Sequence, residues 1–444
     1  MNPLKQLEAC GQSPWLDYLK RSLIESGELR ALIERDGLKG VTSNPSIFEK
    51  AIVETDEYAD ALEHFQGLAD HSVSAIYEHL AIADIRAAAD VLRPVYEQTQ
   101  GRDGYISLEC SPYLANDTGA TVAEALRLWA AVARSNLMVK VPATPAGIPA
   151  IRQLIGRGLS INITLLFSVS VYEHVVEAYI SGLEDLTRAG GDVSKIASVA
   201  SFFVSRIDTA IDKRLDKLGD KRVADRSRGK AAIANAKLAY VRYKALFSGP
   251  RWQFLASSGA KTQRLLWAST STKNPAYKDT RYVEALIGRD TVDTIPPATM
   301  DAFRHHGEAK CDAIEQDIEG ARAMLAELEE HGVSLKEVTE ELVTEGVQQF
   351  TDAFDKLFGA IAQCRRTQLE GDRARLAIRP GSPEMKTAFD EEMEVWRKEG
   401  AYGGFGPAIS RCGPGRTRTS GSAGYISCSR SWPILTGCSA LRRR

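Results

Sequence analysis

The chain has 444 residues, of which 44% are hydrophobic and 26% charged, and its net charge is −2. That length suits one large domain with a tail, or two domains. Near-neutral charge gives no basic footprint for nucleic acid or for a membrane surface, and no apolar run reaches transmembrane length. The opening Met1–Glu8 segment lacks the basic and then apolar stretches of a signal peptide. Seven cysteines are scattered without a CxxC, and the His305-His306 pair has no spaced acidic or cysteine partner. These patterns predict no metal site, no disulfide framework and a cytoplasmic protein with reduced thiols.

In chain order, short apolar strand candidates alternate with longer amphipathic stretches. The strands are predicted at Trp15–Leu19, Gly40–Asn44, Tyr105–Cys110, Leu137–Ala143, Ser160–Phe167, Ser198–Val204, Arg264–Thr270 and Thr291–Ile295. Helical patterns fall at Thr121–Ser135, Val169–Arg188 and Arg206–Leu218, and a long helical connection, Asp56–Leu68 then Val73–Glu97, joins strands two and three. Repeated strand–helix units imply parallel pairing, and eight of them imply an α/β fold closed as a (β/α)8 TIM barrel. The structural alternative is a doubly wound open sheet, disfavoured because no GxGxxG follows the first strand. Glu308–Glu330 and Ser334–Cys364 read as two strong helices, the second capped by Ser334, and together form a C-terminal extension across the barrel. The barrel domain is expected over residues 1–370. Residues 371–444 form a tail, with one helix at 385–399. Beyond Glu399 there is no Asp or Glu at all, and the Arg-, Gly- and Ser-rich remainder reads as a disordered segment or as a basic interaction tail.

Side chains alternate along a strand, so one set faces the barrel interior, and catalytic groups belong at the C-terminal strand ends. Strand four, Leu137-Met138-Val139-Lys140-Val141-Pro142, sets Lys140 opposite Val139 and Val141. Glu109 stands opposite Leu108 and Cys110; Asn162 shares a face with Thr164, and Ser201 with Phe203. Asp17 lies in strand one, and Asn44 ends strand two. An isolated lysine in an apolar string usually snorkels to water, and a single inward polar residue is usually structural. A lysine and two carboxylates on one face are harder to dismiss. Their bland alternative, an ion pair of Lys140 with Asp17 or Glu109, would be a poor stabiliser.

A desolvated lysine disfavours its charged form and becomes a nucleophile toward a carbonyl. Forming an imine needs an acid to expel water, and cleaving the adjacent C–C bond needs a base for the β-hydroxyl. Glu109, through a water held by Thr164, suits the first task, and Asp17 suits the second. The protonated imine is the electron sink, so the expected cofactor is none. Arg206 after strand six and Lys273 after strand seven stand where barrels bind phosphate, or else are solvated surface cations.

The segments Gly40-Val41-Thr42-Ser43-Asn44-Pro45-Ser46-Ile47-Phe48, Val139-Lys140-Val141-Pro142-Ala143-Thr144 and Asn162-Ile163-Thr164-Leu165-Leu166-Phe167-Ser168 resemble the signature segments of the transaldolase family. The resemblance covers roughly residues 1–365. It implies a Schiff-base barrel enzyme of the pentose phosphate pathway that moves a dihydroxyacetone unit between sugar phosphates. By position it implies Lys140 as the Schiff-base lysine, Glu109 and Thr164 as holders of the catalytic water, and Asp17 as the group that handles substrate hydroxyl protons. It implies dihydroxyacetone contacts from Asn44, Asn162 and Ser201, with Phe203 lining the site and Arg206 as the first phosphate cation. Ser269 fits the pattern after strand seven, whereas the cation there is Lys273, displaced by an insertion from the arginine of the best-known members. Some relatives are fused to a phosphoglucose isomerase domain, for which this chain is too short, so no isomerase activity is expected. The expected partners are sugar phosphates, with assembly as a monomer or a homodimer.

Overall fold

A computed structural model describes residues 2–375, apart from 54, 56 and 65–71. The expected helix at 385–399 and the acid-free tail lie outside the described residues. Eight parallel strands close on themselves in sequence order: β1 (Gln12–Asp17), β2 (Gly40–Thr42), β3 (Tyr105–Glu109), β4 (Leu137–Pro142), β5 (Ile161–Leu166), β6 (Ser198–Phe203), β7 (Arg264–Ala268) and β8 (Thr291–Ile295). Helices on the outside complete the (β/α)8 barrel, and the predicted helix Val169–Arg188 has those bounds, with Ser168 capping it at Val171 N.

The β-branched and apolar outward residues Val139, Val141, Ile161 and Ile163 are wholly buried against those helices. Inside, close packing of the barrel dictates a glycine. The Trp15 ring fills the space over β2, so a Cβ on Gly40 would lie 2.5 Å from it.

Two expectations are corrected in their bounds. β1 starts at Gln12 rather than Trp15, because its first polar residues find partners on both faces of the barrel floor. Gln12 Nε2 donates to Leu286 O at 2.8 Å, and Ser13 Oγ to Asp103 Oδ2 at 2.8 Å. The helix expected from Glu308 begins only at Ile318. Asp312 and Asp317 adopt left-handed backbone conformations, a single 3-10 turn (Ala313–Glu315) lies between them, and Asp317 caps the helix at Gly320 N. That helix, Ile318–Glu330, packs on Ala231–Leu246 at the barrel flank, whereas the helix Leu335–Arg375 contacts Pro45–Val53, Val73–Gln98 and β5. Its Gly346 meets Leu165, and a Cβ there would lie 2.7 Å from Leu165 Cδ2. Leu165 itself has φ +55° at a register shift in β5, a bulge that turns this strand end toward the crossing helix.

A third correction concerns the cysteines. Cys10 and Cys311 form a disulfide across 301 residues, with Cα atoms 4.9 Å apart, while Cys110 is free and buried. Barrel closure brings the residue before β1 next to the segment after β8, a proximity that no sequence spacing reveals. The crosslink ties the segment before β1 to the segment after β8 at the β8–β1 seam and restricts the unfolded chain. Reductant, or Cys10→Ser, is therefore expected to lower stability by about 2–4 kcal/mol, read as a lower thermal midpoint. Identical midpoints in both redox states would remove this role from the crosslink.

Candidate active site

Strand register assembles the site. Glu109 on β3 is the ladder partner of Lys140 on β4, and Lys140 is the partner of Asn162 on β5. Paired residues in a parallel ladder project to the same side, so these three side chains form one inward row. Lys140 is 6% and Glu109 7% exposed. The Lys140 ammonium stands 3.6 Å from Glu109 Oε2 and donates to the Ser43 carbonyl at 3.1 Å. Burial raises the Glu109 pKa against the opposing charge of Lys140. Neither Glu109 oxygen, nor Thr164 Oγ1 one step up β5, has a hydrogen-bond partner among the described residues.

Asp17 ends β1. Burial raises its pKa too, opposed by Lys140 and by a 2.8 Å hydrogen bond that Thr42 Oγ1 donates to Asp17 Oδ1. Thr42 is linked in turn to Thr294 Oγ1 at 2.7 Å. On the other flank of the lysine, Ser201 Oγ donates to Asn162 Oδ1 at 2.6 Å, and Asn162 Nδ2 donates to Ser107 Oγ at 3.0 Å. That chain fixes the asparagine amide. Asn44 Oδ1 caps the next helix at Ile47 N, 3.0 Å away, and its amide nitrogen donates to no described residue.

Arg206 sits in the first turn of the helix Ser205–Leu215, its guanidinium 5.2 Å from the Phe203 ring centroid. Phe203 packs on Phe167. Arg206 makes no ion pair among the described residues, and burial lowers its pKa while Glu109, Asp17 and Glu345 act the other way. Lys273 donates to Ser271 Oγ at 2.8 Å. Partial burial, then the like charge of Arg206, lowers its pKa as well. The segments bearing the two cations are tied by Ser205 Oγ and Ser269 Oγ, 2.9 Å apart, with Ser269 at φ +58°. Among the described residues neither Arg206 nor Lys273 forms an ion pair, although Asp17 acts on both from a distance.

Sequence reasoning missed Thr42, the Ser43 carbonyl, Ser107 and Thr294. Thr42 had a usable signal: it alternates with Gly40 onto the inner face. Glu345, on the crossing helix, had none. Asp293 was also missed. It is fully buried on the outer face of β8, in register with Trp267, and its Oδ1 accepts from Thr270 Oγ1 at 3.0 Å. Burial pushes its carboxyl up to about 8. The folded chain then holds this proton more tightly than the unfolded chain, so its stabilisation is complete below pH ~4 and fades as pH rises to about 8. Asp293→Asn is expected to flatten this decline, whose slope reaches at most about 1.4 kcal/mol per pH unit. Urea unfolding at pH 5 to 9 checks it; an unchanged slope would contradict the assignment.

A closed parallel barrel with an ionisable constellation at the C-terminal strand ends defines an enzyme of the barrel class. Residues 14–361 match the family model described as Transaldolase/Fructose-6-phosphate aldolase. Among similar proteins, the Transaldolase of Trichodesmium erythraeum is 47% identical over 375 residues, covering 82% of this chain and 97% of the relative. The Transaldolase of Thermobifida fusca is 48% identical over 362 residues, covering 82% and 98%. The chain belongs to the transaldolase/fructose-6-phosphate aldolase family, and is an enzyme of the transaldolase type. Among the described residues, no helix is long and apolar enough to cross a membrane.

Proposed function

We propose that this enzyme transfers a dihydroxyacetone unit from sedoheptulose 7-phosphate or fructose 6-phosphate to glyceraldehyde 3-phosphate or erythrose 4-phosphate, through a Schiff base on Lys140. The observation that carries the reading is the inward row of Glu109, Lys140 and Asn162, with Lys140 buried 3.6 Å from Glu109. The Lys140 amine adds to the ketose carbonyl. Glu109, through a water seated against Thr164, protonates the carbinolamine hydroxyl, which leaves as water. Asp17 then takes the proton of the hydroxyl beyond the scissile bond. The C–C bond breaks, its electron pair passes to the iminium, and the aldose phosphate departs. The enamine left on Lys140 attacks the acceptor aldehyde, and the steps run in reverse.

Asn44, Asn162 and Ser201 hold the three-carbon unit, with Phe203 lining the site. Arg206, Lys273 and Ser269 hold the phosphate, Lys273 as a point charge rather than a planar fork. Residues 1–370 are the catalytic unit in this reading, with the pentose phosphate pathway and the cytoplasm as its setting.

The family description also names fructose-6-phosphate aldolase, and an aldolase would release the three-carbon unit without an acceptor. Acceptor dependence separates the two. Fructose 6-phosphate should turn over with erythrose 4-phosphate present and stall without it. Equal turnover in both would make the enzyme an aldolase.

A further inference from the structure

The barrel has a second mouth, at the N-terminal ends of the strands, and it contains a cavity of about 270 Å³. Loops leading into β3, β6 and β7 surround it, and Arg102, Lys261 and Arg264 are the charged residues of its lining. None of the residues assigned to the sugar phosphate site lines it. Met138, two residues before Lys140, is the nearest approach along β4.

The cavity wall is built and fixed. Arg264 is 5% exposed and is held by Asp103 Oδ1 at 2.8 Å, Ser13 Oγ at 2.8 Å and the Arg102 carbonyl at 2.6 Å. Asp103 also accepts from Trp15 Nε1 at 3.1 Å. This network satisfies its own charges and supplies a rigid floor.

The other two cations are less well matched. Arg102 uses one nitrogen, Nη2, on the half-exposed Asp290 at 2.6 Å; its other donors engage no described residue. Lys261 Nζ donates to the Ser194 carbonyl and pairs with no carboxylate among the described residues. Burial lowers its pKa, and the carboxylate acting on it from a distance, Asp192, is already held by Ser194 and Lys195. Three cations thus meet two paired carboxylates, Asp103 and Asp290, and one positive charge is left over beside unused donors.

We propose that this cavity is a binding site for a phosphate-bearing anion, held by Lys261 and Arg102 and separate from the sugar phosphate site on the opposite face. The volume is small enough to favour phosphate or a short phosphate ester. A guanidinium with free donors beside an ammonium lacking a carboxylate suits the oxygens of a phosphate group.

Equilibrium dialysis of the full chain with radiolabelled inorganic phosphate tests this. The Arg206→Ala chain isolates the proposed site from the other face, and it is expected to retain one bound phosphate. Adding Lys261→Gln to it should weaken that binding at least tenfold. Lys261→Gln alone should leave phosphate-free turnover unchanged. Arg102→Gln gives the same readout should the lysine variant not fold. Competition then identifies the source: displacement by fructose 6-phosphate marks an ester site, and no displacement marks a site for inorganic phosphate. The proposal is overturned if Arg206→Ala protein binds no phosphate, or if its binding is indifferent to Lys261→Gln and Arg102→Gln.

Discussion

Lys140→Met is expected to cut turnover by roughly 10⁴-fold or more, the scale of removing a covalent nucleophile. Methionine approximates the lysine stem in length and volume, so the barrel interior stays filled. It also leaves Glu109 without its cation in a buried place, which normally destabilises strongly. Here the cost is limited, because burial already holds the Glu109 pKa above its ordinary value and the carboxyl can take up a proton. The variant should therefore fold with a near-native circular dichroism spectrum and still bind fructose 6-phosphate through Arg206 and Lys273. Steady-state kinetics beside calorimetric binding separate the two effects. Turnover near the parent rate would end the proposed mechanism. Loss of both fold and binding would show the lysine to be an ion-pair partner first.

Glu109→Gln has the second largest expected effect, a fall of about 10²–10⁴-fold in kcat, the range for removing a general acid–base group. Glutamine keeps the shape and the hydrogen-bonding reach but cannot shuttle a proton. KM for the donor sugar should change only a few-fold, since the proposed phosphate contacts, Arg206 and Lys273, stand beyond the ends of β6 and β7. A structural ion pair would give another signature: lower stability with kcat preserved.

The parent pH profile bears on the same assignment. Glu109 and Asp17 both have raised pKa values. Asp17 must be ionised to act as a base, so the acid limb of kcat should lie above the ordinary carboxylate range. In the Glu109 variant, the pH dependence belonging to the acid group should disappear.

The interior row was legible because strand periodicity is strict. One residue of slip would turn Lys140 toward the helices, where Val139 and Val141 already fill the space. The same alternation placed Glu109, Asn162, Thr164, Ser201 and Phe203, so the barrel and much of its inner face could be read from local pattern.

Strand ends were less legible. Apolar residues such as Ala143 and Val204 continue past the last ladder pair, while the polar Gln12 and Ser13 belong to β1 through partners far away in sequence. The Cys10–Cys311 crosslink, the Asp103–Arg264 floor and the contact of Gly346 with Leu165 all join residues more than 150 positions apart. Helical periodicity marked Ser334–Cys364 as a helix, which the structure extends to Leu335–Arg375, but a helical face does not name the surface it will cover. Arg206 and Lys273 lie beyond their strands, where alternation no longer constrains direction. The sequence grouped them only by their place after β6 and β7, whereas the Ser205–Ser269 link joins the segments that carry them.

Borohydride trapping with fructose 6-phosphate, followed by peptide mass mapping, tests the central claim most directly. A reduced three-carbon adduct is expected on the peptide carrying Lys140, and none in Lys140→Met. A folded protein that binds the sugar phosphate yet gives no adduct, or gives one on another lysine, would contradict it.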